Sequence, residues 1–69
     1  MMKLKEAFKL VDKKYHGNPA IIYQGNKTLL CCVFASMIEF ANRYDYEVLD
    51  ENKPYDIYVD GKTLIFRVR

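Results

Sequence analysis

The C-terminal stretch from Pro54 to Arg69, PYDIYVDGKTLIFRVR, constrains the fold of this chain more than any other. Asp60 and Gly61 stand between two runs that are rich in β-branched and aromatic residues. Asp-Gly is one of the dipeptides that best tolerate the two positive φ angles of a type I′ turn. The stretch therefore predicts a β-hairpin with a two-residue loop.

An earlier stretch, Pro19 to Phe34, resembles this hairpin and reads PAIIYQGNKTLLCCVF, with Gly25-Asn26 at the turn. When the two stretches are aligned, identical residues fall at these pairs of positions: Pro19 and Pro54, Ile22 and Ile57, Tyr23 and Tyr58, Lys27 and Lys62, Thr28 and Thr63, Leu29 and Leu64, and Val33 and Val68. We interpret the likeness as an internal repeat of a helix–hairpin unit, with approximate units 3–35 and 36–69 inside a single domain, 1–69.

The residues before the first hairpin predict an amphipathic helix over residues 3–15. The apolar side chains that recur at helical spacing are Leu4, Phe8, Val11 and Tyr15, with Ala7 and Leu10 beside them. His16, the only histidine, follows this helix, and we expect it to interact with the carbonyl groups at the C-terminal end of the helix rather than to act in catalysis.

A second helix is predicted to begin at Ser36, because Ser36 and Glu39 have the spacing of a capping box. Glu39 and Arg43 also form a favourable i,i+4 pair. The apolar stripe of this helix is Met37, Ala41, Tyr44 and Val48, which have the spacing seen in the first helix and favour a helix that continues to about Leu49. In the alternative interpretation the helix ends near Tyr44, and residues 46–49 form a short strand.

The predicted fold is an α+β two-layer sandwich of order αββαββ, in which a four-stranded, mainly antiparallel sheet has two helices on one face. A single αββ unit covers its own apolar face poorly, which gives a physical reason for two units. The chain has only 69 residues, of which 51% are hydrophobic. Association into a homodimer is one way to add core, and a well-packed monomer is the alternative.

A two-residue loop at Gly25-Asn26 places Tyr23 opposite Thr28 and Ile22 opposite Leu29. Pairing of this kind in both hairpins sorts the side chains of the strands onto two faces. The apolar face, which we expect the helices to cover, has Ile22, Leu29, Cys31, Val33, Ile57, Val59, Leu64, Phe66 and Val68. The mixed face has Ile21, Tyr23, Thr28, Leu30, Cys32, Asp56, Tyr58, Thr63, Ile65 and Arg67. Ordinary cross-strand packing is one interpretation of the mixed face, because Tyr and Thr favour strands.

The mixed face also suggests a function, because aromatic and Arg side chains around an apolar centre are typical of protein interfaces. We expect a small non-enzymatic binding protein that docks a sheet face or a sheet edge onto a protein partner, either a second copy or a larger target. By association only, such small chains are often regulators or inhibitors of phage or mobile-element type. The predicted apolar centre is Ile21, Leu30, Cys32 and Ile65, and the residues expected to bind the partner are Tyr23, Tyr58, Ile65, Arg67 and Arg69.

Binding of single-stranded nucleic acid is the alternative function for the same face. Exposed Tyr rings stack on bases, and Lys27 and Lys62 at the hairpin tips would contact phosphates. The net charge of only +2, together with Asp56 and Asp60 nearby, ranks this alternative second.

No other kind of site is indicated. A disulfide between the adjacent Cys31 and Cys32 would be strained, so we expect free thiols in a reducing, cytoplasmic compartment. Two Cys and one His give no zinc signature, and no cofactor, nucleotide or nucleophile motif occurs. We therefore expect no metal, no cofactor and no enzymatic activity. The longest apolar run, Leu29 to Ala35, is far shorter than the roughly 20 residues of a membrane span.

Overall fold

The computed structural model describes residues 1–69, which form a four-stranded sheet and two short α-helices. The predicted α+β class is confirmed. The bounds are α1 Leu4–Lys9, β1 Pro19–Gln24, β2 Lys27–Val33, α2 Ile38–Arg43, β3 Asp56–Ile57 and β4 Leu64–Val68, with 3₁₀ helices at Lys13–Tyr15 and Phe34–Met37. None of the helices is long and apolar enough to cross a membrane.

The strands lie in the order β2-β1-β4-β3. Each hairpin is antiparallel, but the central strands β1 and β4 are parallel, with Ile21 opposite Ile65. The sheet is therefore mixed, and the prediction of a mainly antiparallel sheet is wrong. The first strand of one hairpin meets the last strand of the other, and the long connection through α2 lets these two strands run in the same direction.

The first hairpin follows the predicted register only near its turn. Tyr23 lies opposite Thr28 as predicted, but Ile22 pairs with Leu30 rather than with Leu29. Leu29 is therefore the extra residue of a β-bulge. Because side chains alternate along a strand, every residue of β2 beyond the bulge lies on the face opposite to the predicted one.

This bulge corrects four assignments in β2. Leu30 and Cys32 lie on the side of the sheet that the helices cover, opposite Ile22 and Ala20 of β1, whereas they were predicted on the mixed face. Cys31 and Val33 were predicted on the apolar face, but they lie on the other side and are exposed.

The second hairpin has the predicted register. Ile57 pairs with Leu64, and the Tyr58 amide donates a hydrogen bond to the Thr63 carbonyl oxygen at 2.8 Å. Val59 was predicted on the apolar face, but it belongs to the loop beyond this pair and is exposed.

The loop of the second hairpin is closed by the carboxylate of Asp60. This carboxylate accepts hydrogen bonds from the amides of Lys62 and Thr63, at 2.9 and 2.8 Å, and from the Thr63 hydroxyl at 2.6 Å. Gly61 has a φ of 75°, but Asp60 has no positive φ, so the predicted type I′ turn is wrong. An Asp side chain that binds the following amides provides the turn instead.

Helix α1 is shorter than predicted and ends at Lys9. The chain then forms a separate 3₁₀ helix, because the Asp12 carboxylate accepts a hydrogen bond from the Lys14 amide at 3.2 Å. Leu10, which was predicted to widen the apolar stripe of a longer helix, is exposed as a result.

Helix α2 begins at Ile38 and ends at Arg43, so the preferred prediction of a helix to about Leu49 is wrong. The predicted capping box is also wrong. Ser36 lies inside the preceding 3₁₀ helix, and its side chain caps no backbone amide.

The segment after α2 is extended, as in the alternative interpretation. Val48 forms an antiparallel bridge with Val68, and the Leu49 amide donates to the Arg67 carbonyl oxygen at 2.9 Å. On its other side, the Val48 amide donates to the Met2 carbonyl oxygen at 2.9 Å. These long-range hydrogen bonds outweigh the helical spacing of the local sequence.

One hydrophobic core joins both helices to one side of the sheet. The Phe8 ring of α1 packs edge-on against Phe34 and Phe66, with ring centroids 4.9 and 4.7 Å apart. We call this side the core face; its central strand residues are Ala20, Ile22, Leu64, Phe66 and Val68. The other side is the outer face, with Ile21, Tyr23, Ile65 and Arg67 on its central strands.

Candidate functional site

Strand β2 forms a long free edge of the sheet. It is an end strand, and no backbone bridge lies on its outer side. At the opposite end of the sheet, β3 has only two residues, and residues 47–49 bond to the rest of the β4 edge. Strand β2 therefore presents the longest row of unpaired backbone groups, which is a template for an added strand.

A hydrogen bond at the end of β2 indicates which groups point outward. The Phe34 amide donates to the Asn18 carbonyl oxygen at 2.8 Å, so this amide faces the β1 side. Because facing alternates in an antiparallel ladder, the amides and carbonyls of Val33 and Cys31 point toward the free edge. Both side chains are exposed, and Lys27, the only charged residue of the strand, lies at the far end.

A groove of about 360 Å³ borders this edge on the helix side. Leu30, Phe40 and Tyr44 supply its apolar surface, and the two aromatic ring centroids lie 4.9 Å apart. Glu39 and Arg43 also line it and form the predicted i,i+4 pair, with 3.4 Å between Oε1 and Nη2. We call this the edge groove; it offers contacts for alternate side chains of a strand added to β2.

The 3₁₀ helix Phe34–Met37 positions α2 beside β2. Phe34 and Met37 are buried, and the Ala35 amide donates to the His16 carbonyl oxygen at 3.1 Å. Side-chain packing and a backbone hydrogen bond therefore both hold this turn in place. Phe40 of α2 stacks on Tyr46 with ring centroids 5.8 Å apart, which holds one wall of the edge groove.

The structure brings four of the five predicted partner-binding residues together. Tyr23, Tyr58, Ile65 and Arg67 line one groove of about 380 Å³ on the outer face. Arg69 is exposed but does not line this groove. We call it the face groove.

Ile65 is not the exposed apolar centre that the sequence suggested. It is only 7% exposed, although it is not a member of the main core cluster. Leu30 and Cys32, two other members of the expected patch, lie on the core side because of the bulge. The outer face therefore has aromatic and Arg side chains without the broad apolar centre.

Asp56 sets the local charge of the outer face. Its carboxylate accepts a hydrogen bond from the Ile57 amide at 2.9 Å, and it lies 3.4 Å from Lys53 Nζ and 4.0 Å from Arg67 Nη1. The backbone hydrogen bond, and then the two cations, hold the pKa of Asp56 below its ordinary value. The charge of Arg67 is thus partly balanced within the chain itself.

The two lysines considered for nucleic-acid binding lie next to the two hairpin turns. Lys27 and Lys62 are both exposed. Neither takes part in any of the ion pairs of the structure. Neither lines the face groove, so the structure does not bring them together with Tyr23 and Tyr58 around one opening.

His16 contacts the backbone and the core, and the two cysteines are not joined by a disulfide. His16 Nε2 lies 3.3 Å from the Val11 carbonyl oxygen, and the ring centroid lies 5.2 Å from that of Phe34. Cys31 and Cys32 are free thiols, as predicted. No group of three or more His, Cys, Asp or Glu side chains is arranged to hold a metal ion.

Sequence reasoning missed the aromatic wall of the edge groove. Tyr44 was assigned to the apolar stripe of a longer helix, and Phe40 was assigned to no site. Their i,i+4 spacing on one flank of a helix was the available signal, since such residues are neighbours on a helix surface.

Comparison of the chain with family models, with curated proteins and with solved structures finds no match.

Proposed function

We propose that this protein is a non-enzymatic binding protein that accepts an extended segment of a partner protein as an added strand beside β2. The observation that carries the proposal is the outer edge of β2 from Thr28 to Val33, which is uncharged and pairs with no other strand. An added strand supplies hydrogen-bond partners to amides and carbonyls that otherwise depend on water. The bulge at Leu29 limits regular pairing to the residues beyond it.

The protection of this edge is confined to its turn end, which supports the proposal. Sheets usually guard their edges with charges, Pro, β-bulges or very short strands. Strand β2 has seven residues and no Pro, and its single charge, Lys27, and its bulge at Leu29 both lie near the turn, so Leu30 to Val33 has none of these devices. The exposed Cys31 and Val33 leave the outward backbone groups accessible from the outer face.

The edge groove gives the proposed partner segment a side-chain preference. Side chains of an added strand alternate between the two faces of the sheet. Those on the helix side would contact Leu30, Phe40 and Tyr44, which favours large apolar residues at every second position of the partner. The adjacent Glu39–Arg43 pair accommodates polar neighbours of either charge.

The partner is a larger target protein or a second copy of this chain. If it is a second copy, β2 pairs with its equivalent in a homodimer. A regulator or inhibitor of phage or mobile-element type would work in this way by occupying a strand-binding surface. Two free cysteines support action in the cytoplasm, where thiols stay reduced.

We also propose that the domain arose from two αββ units that form a two-layer sandwich. The identical residues shared by the two hairpins support the repeat. The packing of α1 and α2 against one core cluster supports the two layers.

Single-stranded nucleic acid is the second candidate ligand, and the face groove is the observation in its favour. Tyr23, Tyr58 and Arg67 surround one opening, and aromatic rings beside Arg suit base stacking. Binding of this kind weakens steeply as salt rises, whereas strand addition at an uncharged edge does not.

Three substitutions at Cys31 test the edge. A library of randomised peptides is selected for binding to the protein, and the affinity of each selected peptide is then measured with Cys31→Ser, Cys31→Lys and Cys31→Pro. Cys31→Ser is the matched control, and we expect it to bind like the original. Cys31→Pro removes one outward amide, and we expect roughly 3- to 10-fold weaker binding, the worth of about one hydrogen bond.

The position of the bound peptide provides the second readout. We expect binding to slow the amide hydrogen exchange of Cys31 and Val33. We expect Cys31→Lys to weaken peptide binding, because a charge inserted on an edge strand disfavours pairing with another strand. If selected peptides bind the Pro variant as tightly, or protect amides of the outer face instead, strand addition at β2 is excluded.

A further inference from the structure

A second groove lies between the two helices, on the opposite flank of α2 from the edge groove. Its volume is about 510 Å³, the largest in the molecule. Phe8, Phe34 and Ala41 form its floor, and Ile38, which is 42% exposed, contributes an apolar wall. This volume lies within the range of small-molecule sites in proteins.

The polar side chains around this helix groove are all neutral or basic. Lys5, Lys9, His16 and Asn42 complete its lining, and no carboxylate is among the lining residues. Lys5 and Lys9 are four residues apart on α1, where two like charges destabilise a helix. Neither lysine belongs to any ion pair of the structure.

The acidic residues near the helix groove are engaged elsewhere. The Glu6 carboxylate accepts a hydrogen bond from the Lys3 amide at 2.8 Å, and Glu39 pairs with Arg43. The positive charge beside the groove is therefore not balanced within the chain.

We infer that the helix groove binds a small amphipathic monocarboxylate, with its alkyl or aryl group on the apolar floor and its carboxylate beside Lys5 and Lys9. The apolar floor selects the tail by burial, and the two cations select the charge of the head group. This site is independent of strand addition at β2, so either proposal stands or fails without the other.

Titration with three probes followed by amide NMR shifts tests the site. Octanoate has both tail and charge, acetate has the charge alone, and octylammonium has the tail with the opposite charge. We expect octanoate to shift the amides of Phe8, Lys9 and Ala41 saturably. We expect at least tenfold weaker binding of both other probes. Equal binding of octylammonium, or octanoate shifts centred on another region, would overturn the inference.

Lysine variants separate a specific site from general attraction to a basic surface. The double variant Lys5→Gln/Lys9→Gln should bind octanoate roughly 3- to 10-fold more weakly, which is the range of two exposed charge contacts. The matched control Lys27→Gln/Lys62→Gln removes the same charge from the hairpin turns and should bind octanoate unchanged. If both double variants lost octanoate affinity equally, net charge alone would explain the binding, and the proposed site would be wrong.

Discussion

The two hairpins have similar sequences, but they occupy different positions in the sheet. The first has strands of six and seven residues, and its second strand, β2, is a free edge. The second has a two-residue strand β3 and a five-residue strand β4, and β4 lies between β1 and β3. The same local pattern therefore forms an accessible edge in one half of the chain and a central strand in the other.

Aligned positions also differ in burial. Phe66 of β4 is fully buried, whereas its counterpart in the repeat, Cys31 of β2, is exposed because the bulge at Leu29 places it on the outer face. Local sequence determines that a strand forms, but the register of the strand and its place in the sheet determine whether a residue belongs to the core or is free to bind. A test of this difference needs equivalent substitutions in both hairpins.

The largest difference is expected between Phe66→Ala and Cys31→Ala. Phe66 contacts Phe8 and Phe34 in the core, so its truncation should lower the free energy of unfolding by about 3–5 kcal/mol. Cys31→Ala removes an exposed side chain and should change it by less than about 0.5 kcal/mol. Urea unfolding followed by circular dichroism measures both values. Similar losses in the two variants would mean that the hairpins contribute equally to the core.

A smaller and equal effect is expected in the two turns. Gly25 and Gly61 have φ angles of 59° and 75°, a region that costs other residues roughly 1–2 kcal/mol. Gly25→Ala and Gly61→Ala should each lower the free energy of unfolding by this amount, although a Cβ has open space at both positions. The difference between the hairpins would then lie in their strands and not in their turns.

Gly17 provides the control for the glycine substitutions. It has no positive φ, and an added Cβ would meet no atom within 4 Å. Gly17→Ala should therefore leave stability unchanged or raise it slightly, because Ala restricts the unfolded chain. If Gly17→Ala lowered the free energy of unfolding as much as the turn substitutions did, positive φ angles would not be the cause of the destabilisation.

The hairpins were predictable because their signals are local, whereas the bulge was not. Gly25-Asn26 and Asp60-Gly61 mark both turns, and counting outward from Asp60-Gly61 gives the register of the second hairpin. From Leu29 to Val33 every residue is apolar, so the sequence has no alternation to distinguish one register from the next. The shift at Leu29 is visible only in the paired structure.

The end of α2 and the strand order depend on contacts between distant residues. The local pattern of Tyr46 to Leu49 favours a helix over a strand, but hydrogen bonds from Leu49 to Arg67 and from Arg69 to Glu47 stabilise the extended form. The parallel pairing of β1 with β4 likewise has no local signal.

The register of the strands and the contacts between distant residues also determine how much of the candidate site was predictable. Tyr23, Tyr58 and Arg67 were predicted on one face because each lies on a part of its strand where the bulge does not change the register, and they do share the face groove. The edge groove was not predicted, because the helix prediction placed Tyr44 in the apolar stripe that faces the core, whereas α2 ends at Arg43 and Tyr44 is exposed beside the groove.

The smallest expected effect is a difference in acid sensitivity. The stretch from Pro19 to Phe34 contains no carboxylate, whereas the second hairpin contains Asp56 and Asp60. Hydrogen bonds from the Thr63 hydroxyl and amide, and then from the Lys62 amide, hold the pKa of Asp60 below its ordinary value of 3.8.

Because the folded protein binds the Asp60 proton less tightly than the unfolded chain, the carboxylate stabilises the fold above its ordinary pKa. This contribution is lost as the pH falls through the lower pKa of the folded state, and Asp56 acts in the same direction. Amide exchange protection at Tyr58 and Thr63 should therefore fall between about pH 5 and about pH 2 before protection in the first hairpin falls. Asp60→Asn should flatten this dependence, while Asn26→Ala in the other turn should not. Equal loss of protection in both hairpins would mean that the sheet opens as one unit, and the local role of the Asp60 loop would then be wrong.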